Sequence, residues 1–193
     1  GPKSVVSFNI GTPEMVSRAY SDGATATVLQ YAVYNAAGEE MEDLRVTNGV
    51  IHGSTTVNIV LTTGNTYTVI FWAAAPNAPY SVDFATKTMT VDYTNAASND
   101  EARDAFYTAY TFTVTGTQTE TIELKRPFAQ LNIGTADYAA SAKAGYTPTQ
   151  SSVVVKNIYK TLNLATGVVG EPAEITFSSA NIPSGETFPV VGY

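Results

Sequence analysis

The stretch "AYTFTVT", Ala109–Thr115, decides the fold class. Tyr110, Phe112 and Val114 alternate with Thr111, Thr113 and Thr115, so large apolar side chains take one face and hydroxyls the other. That is a strand with one face in a core and one in water, as antiparallel sheets commonly have. The reading spreads outward. In "STTVNIVLT", Val57, Ile59 and Leu61 face one way while Thr56 and Asn58 face the other. "YTVIFWAAA", Tyr67–Ala75, is apolar on both faces and reads as a central strand, stopped by Pro76, which cannot continue a ladder. Further strands are expected at Ser4–Ile10, Thr27–Asn35, Val82–Ala85, Thr88–Tyr93, Thr119–Lys125, Phe128–Ile133, Ser152–Asn157 and Glu174–Phe177. Two stretches suit short helices. "SNDEARDAF" offers a Ser/Asn cap and an acidic first turn; "TADYAASAKAG" offers a Thr cap, alanines and a closing Gly145. Neither is long enough to form a layer. The expectation is an all-β protein, most simply a β-sandwich with short decorating helices.

Composition bounds the function. The 193 residues are 44% apolar and 14% charged, enough to bury a core, and allow one large or two small domains. A net charge of −7 argues against nucleic-acid partners, which need a clustered basic face. No apolar run approaches the length of a membrane helix. The opening "GPKS" reads as a cloning remnant, so a missing signal peptide carries no weight. With no Cys, thiol nucleophiles, disulfides and Cys-based metal sites are excluded; a Ser-His-Asp triad would have to use the single histidine, His52, in the turn-rich "NGVIHGSTT". His52 reads as an ordinary loop residue.

The remaining candidates for chemistry read as structure. "GEEMEDLR", Gly38–Arg45, lacks the Asp/Asn spacing and turn glycine of a calcium loop and reads as a solvated hairpin tip. Glu171 and Glu174 in "EPAE" are expected in a loop, and proximity alone does not make them a glycosidase pair. Trp72 could stack on a sugar, but its doubly apolar strand argues for the core. No phosphate loop or nucleophile elbow appears. No catalytic residue, cofactor or metal is expected. The pentapeptide "FNIGT" at Phe8–Thr12 returns as "LNIGT" at Leu131–Thr135. With "IELKRP" just before the second copy, a domain boundary is expected near Lys125–Pro127, with residues 1–125 as a first β-domain and 126–193 expected to be the start of a second, incomplete one.

Read in order, three pieces resemble the fimbrillins, pilin subunits of Bacteroides-type surface fimbriae. They are "SVVSFNIGTPEMVSRAYSDG", a "LQYAVYN" strand followed by an acidic turn, and "ELKRPFAQLNIGT" leading toward a second domain; together they span most of Ser4–Thr135. Beyond Thr135 the likeness thins to "VVVKNIYKTLNLATG". The resemblance implies two transthyretin-like β-sandwich domains and export as a lipoprotein to the outer-membrane surface. It also implies arginine-specific removal of the N-terminal strand and polymerisation by strand exchange. By position, Arg18–Ala19 would be the bond cut. Implied partners are other fimbrial subunits and host or bacterial surface ligands, with the membrane reached only through a lipid anchor. The acylated cysteine of the family is missing here.

Residue physics is compatible with that picture. Val6, Phe8 and Ile10 alternate and can enter one groove while Ser7 and Asn9 face away; Gly11 and Pro13 help keep the Arg18 segment out of the ladder. Two readings stay open: a removable strand, or a permanent edge strand followed by an exposed Arg18. A non-polymerising surface lipoprotein that binds glycan or a host ligand is the alternative function.

Overall fold

The computed structural model describes residues 1–13, 22–97, 100–129, 133–134, 137–146, 148–181 and 190–192. In chain order the strands are β1 (Lys3–Gly11), β2 (Val28–Tyr34), β3 (Val46–Val50), β4 (Ser54–Thr62), β5 (Thr66–Ala74), β6 (Tyr80–Asp83) and β7 (Thr88–Val91). Then come β8 (Ala105–Thr113), β9 (Gln118–Glu123), β10 (Ile133–Gly134), helix α1 (Tyr138–Lys143), β11 (Gln150–Asn163), β12 (Val169–Asn181) and β13 (Val190–Gly192). The architecture is an all-β sandwich, with sheets ordered β4-β1-β9, β3-β2-β5-β8 and β12-β11-β7-β6, and a small β10-β13 pair.

Two compact units divide the chain. One comprises Gly1–Val91, Glu101–Pro127 and Thr161–Val169; the other Asp92–Asp100, Phe128–Lys160 and Gly170–Tyr193. The first unit is thus not a single run of chain, because the tip of the β11–β12 hairpin belongs to it. Thr161–Asn163 at the end of β11 pair antiparallel with Thr88–Thr90 of β7.

Within the first unit, β5 explains the layering. It pairs with β2 and β8 along its length, and its residues are buried on both faces. Tyr67, Val69, Phe71 and Ala73 enter a core shared with Phe8, Ile59, Leu61, Phe112 and Ile122. On the opposite face Trp72 meets the Tyr80 ring edge-on at 5.3 Å, while the buried Tyr34 donates its hydroxyl to the Phe84 carbonyl at 2.6 Å. Trp72 is therefore a core residue, as its strand required. Burial pushes the Tyr34 phenol up, with Glu40 adding to the shift.

Several local expectations shift, each for a visible reason. The expected Ser98/Asn99 cap of "SNDEARDAF" lies outside the described residues; from Asp100 on, the stretch forms a three-residue 3-10 turn, Glu101–Arg103, before β8 opens at Ala105. Ala105 and Phe106 are fully buried opposite Ala74 and Ala73, and that packing overrides the helical propensity of the stretch. The second helix is present as α1 and closes at Gly145 with φ +89°; its expected Thr135 cap lies outside the described residues. Strand β6 ends at Asp83 because that carboxylate accepts the Ala85 amide at 2.9 Å and turns the chain. Of the run expected as a strand at Phe128–Ile133, Phe128 is not in a strand, Ile133 opens β10, and residues 130–132 lie outside the described residues. The strand expected at Glu174–Phe177 is part of the longer β12, which also takes in Glu171, so the two glutamates do not share a loop; both are exposed. The acidic tip is a solvated turn as expected: the Asn35 side chain accepts the Ala37 and Glu39 amides at 3.0 Å, and Glu42–Leu44 form a 3-10 turn.

One packing prediction arises here. Gly49 on β3 stands opposite Leu29 on β2, and a Cβ on Gly49 would lie 2.8 Å from the Leu29 carbonyl oxygen. Backbone cannot yield as a side chain can. Gly49→Ala is expected to destabilise the fold by about 1–3 kcal/mol, read as a lower urea midpoint at unchanged slope.

Candidate functional site: the groove that holds β1

β1 is an interior strand. It runs antiparallel to β4 from Lys3↔Thr62 to Gly11↔Ser54, and parallel to β9 from Val6↔Gln118 to Gly11↔Glu123. This corrects the edge-strand alternative: both sides of β1 are hydrogen-bonded, and among the described residues β4 and β9 are joined in the sheet only through it. The alternation in "VSFNI" decides which side chains go in. Val6, Phe8 and Ile10 are 0%, 0% and 1% exposed, whereas Val5 is 42% exposed. The Phe8 ring lies 5.3 Å from Phe112 in an edge-to-face contact and 5.7 Å from Phe71. All three predicted groove residues are brought together.

Polar contacts tie β1 as well, through Ser7 and Asn9 on the outward face and through Ser4 at the start of the inward one. Ser7 Oγ donates to Asn58 Oδ1 at 2.6 Å, Thr56 Oγ1 donates to Asn9 Oδ1 at 3.0 Å, and the Ser4 and Thr63 hydroxyls are 2.6 Å apart. Each end is pinned by backbone. The Thr63 amide donates to the Pro2 carbonyl at 2.8 Å, the Thr12 amide to Gly53 at 2.9 Å, and the Leu124 amide to the Gly11 carbonyl at 2.9 Å. Beside the groove, the Tyr110 hydroxyl donates to Glu120 Oε2 at 2.5 Å and Gln118 Nε2 donates to Glu120 Oε1 at 2.7 Å. The Glu120 bond, with burial second, pushes the Tyr110 phenol up. The groove walls Phe71, Phe112 and Ile122 come from three separate strands, each legible as an apolar position; their convergence on the inward face of β1 was not.

Arg18 and Ala19 lie outside the described residues. The chain is described again at Asp22, whose carboxylate accepts the Ala24 amide at 2.9 Å. The sequence holds three other arginines, and each is engaged. Arg45 makes a two-point contact with Glu40. The Arg103 carbonyl accepts the Tyr80 hydroxyl, and the next residue, Asp104, is buried. Arg126 grips Asp104 at 2.7 Å through both Nε and Nη2, lies over the Phe106 ring at 4.8 Å, and is followed by Pro127.

Other candidates stay structural. His52 is exposed and makes an isolated bridge with Ser54. Among the described residues, no group of three or more His, Cys, Asp or Glu could hold a metal ion. No helix among them is long and apolar enough to cross a membrane.

A family model described as a family of unknown function (DUF6562) matches residues 3–187. Among curated proteins no match was found. The fold is similar to that of the fimbrial anchor protein Mfa2 from Porphyromonas gingivalis, with a TM-score of 0.63 and 11% identity over 100% of this chain and 73% of that one. It is also similar to a candidate polysaccharide-binding protein (DUF1812) from Bacteroides thetaiotaomicron, with a TM-score of 0.61 and 13% identity over 97% and 69% of the two chains. A candidate adhesin from the same species gives a TM-score of 0.60 and 11% identity over 92% of this chain and 63% of that one. The chain spans about two thirds of the length of the last two.

Proposed function

We propose that this chain, which belongs to the DUF6562 family, is a structural subunit of cell-surface fimbriae whose β1 strand is removed before assembly. The observation that carries the reading is the placement of β1. Its removal would part β4 from β9, leave two facing rows of unpaired backbone groups, and open the pockets of Val6, Phe8 and Ile10. A strand from a neighbouring subunit could fill that groove, and head-to-tail exchange of this kind need not close, so it builds a filament. The fimbrial anchor among the similar structures supports a surface role. In this reading the partners are other fimbrial subunits, the location is the outer-membrane surface, attachment is by a lipid anchor, and the protein is not an enzyme.

Digestion with an arginine-specific protease tests it. The expected result is a single early cut at Arg18–Ala19, located by mass spectrometry, followed by a denaturation-resistant ladder. Arg45, Arg103 and Arg126 should be spared, since each is tied into the fold and Arg126 precedes Pro127. A clean cut at Arg18 that leaves a stable monomer would reject polymerisation. It would favour the second reading, a surface lipoprotein that binds a glycan or host ligand, for which the candidate polysaccharide-binding protein of the same fold speaks.

A further inference from the structure

Away from β1, a cleft of about 310 Å³ opens in the first unit where three turns converge. They are the Asn35–Gly38 segment after β2, the β6–β7 turn carrying Lys87, and the β11–β12 turn carrying Ala165. Its volume is at the lower end of small-ligand sites, roughly 300–1,000 Å³, which suits one small ring. Its chemistry is specific. Thr68 Oγ1 and Thr111 Oγ1 lie 2.8 Å apart across β5 and β8; of their two hydroxyl hydrogens only one is used between them. The other hydrogen and the spare lone pairs remain for a ligand. Tyr34, Ile70 and Ala109 supply apolar wall.

Lys87 is the charged member. It adopts φ +60°, a left-handed conformation that lysine seldom takes. Its ammonium sits 4.7 Å from the centre of the Tyr34 ring. Gly38 leaves room for that ammonium, because a Cβ there would lie 3.3 Å from Nζ. Lys87 takes no part in the ion pairs Arg45–Glu40 and Arg126–Asp104. In a chain of net charge −7, a cation held in place without a carboxylate partner is a seat for an anion.

We propose that this cleft binds an acidic sugar, a hexuronate residue or chain end, with its carboxylate on Lys87 and its ring hydroxyls on the Thr68–Thr111 pair. None of the lining residues belongs to β1, so the inference stands or falls independently of strand removal. The test is titration of the intact chain with D-glucuronate and D-galacturonate, followed by amide NMR, with methyl glucoside as the neutral comparator. Saturable shifts confined to the cleft are expected for a uronate and not for the glucoside. Lys87→Asn keeps a residue that tolerates the left-handed turn and should weaken uronate binding about tenfold or more. Lys87→Gln serves as a second uncharged variant, and an unchanged amide spectrum elsewhere certifies the fold of each. Thr68→Val should also weaken binding. Uronate affinity that survives both lysine replacements, equal binding of methyl glucoside, or no saturable shift in the cleft overturns the proposal.

Discussion

A chain lacking residues 1–11 is expected to show no cooperative thermal transition, and a peptide of the β1 sequence KSVVSFNIG, added in trans, to restore one. The magnitudes decide this. Val6, Phe8 and Ile10 are fully buried, and burying each such side chain contributes roughly 1.5–3 kcal/mol. Together they approach the whole stability of a typical domain, about 5–15 kcal/mol. The loss does not stop at side chains. Among the described residues β1 supplies the only pairing partner of β4 in its sheet and the only link from β4 to β9, so the amides and carbonyls facing it on both neighbours go unpaired at once. The truncated chain should therefore bind a hydrophobic dye and melt without a sigmoid by circular dichroism. A peptide carrying Asp in place of Phe8 should fail to rescue, because it would bring a carboxylate between Phe71 and Phe112. A native-like transition in the truncated chain without peptide would show that β1 merely covers a self-sufficient fold, and the exchange mechanism would lose its driving force.

How far this arrangement was legible depends on what a pattern of period two can encode. The inward set of β1 was readable from "VSFNI" alone, as were the doubly buried β5 and the alternation that closes β8 at Thr111–Thr113, since each is a local property of the run. The neighbours of β1 were not. β9 lies more than a hundred residues downstream and pairs in parallel, and nothing in "QTETIE" names its partner. The same limit hid the return of Thr161–Val169 to the first unit, where Leu162 and Leu164 are buried. Local propensity misled where long-range packing was stronger: the helical signals of "SNDEARDAF" yielded to the burial of Ala105 and Phe106. The second cleft was invisible for another reason. Tyr34, Thr68, Lys87 and Thr111 are distant in sequence, and nothing local links them until β5 and β8 and three turns bring them together.

Phe8→Ala is expected to cost about 3–5 kcal/mol, the range for truncating a buried aromatic, as measured by urea unfolding. Phe8 has no exposed surface, and its ring contacts Phe112 and Phe71 from the middle of β1, so no neighbour can collapse into the space without leaving its own strand. Two neighbours in the same strand provide the contrast. Val5→Ala removes a side chain that is 42% exposed, and Ser7→Ala removes one exposed hydrogen bond to Asn58; each should cost about 1 kcal/mol or less. The contrast bears on mechanism as well as stability. A strand that leaves must be held by contacts that a successor can remake, and the largest of these in β1 is one aromatic ring. If another subunit's strand takes over the groove, its residue at the Phe8 position must fill the space between Phe71 and Phe112. Phe8→Ala should accordingly loosen β1 before cleavage, seen as faster amide exchange across Val6–Ile10, while the chain left after β1 is removed no longer carries the substitution and should behave as the unsubstituted one does. Equal effects from Phe8→Ala and Val5→Ala would mean that the inward face of β1 does not govern its retention.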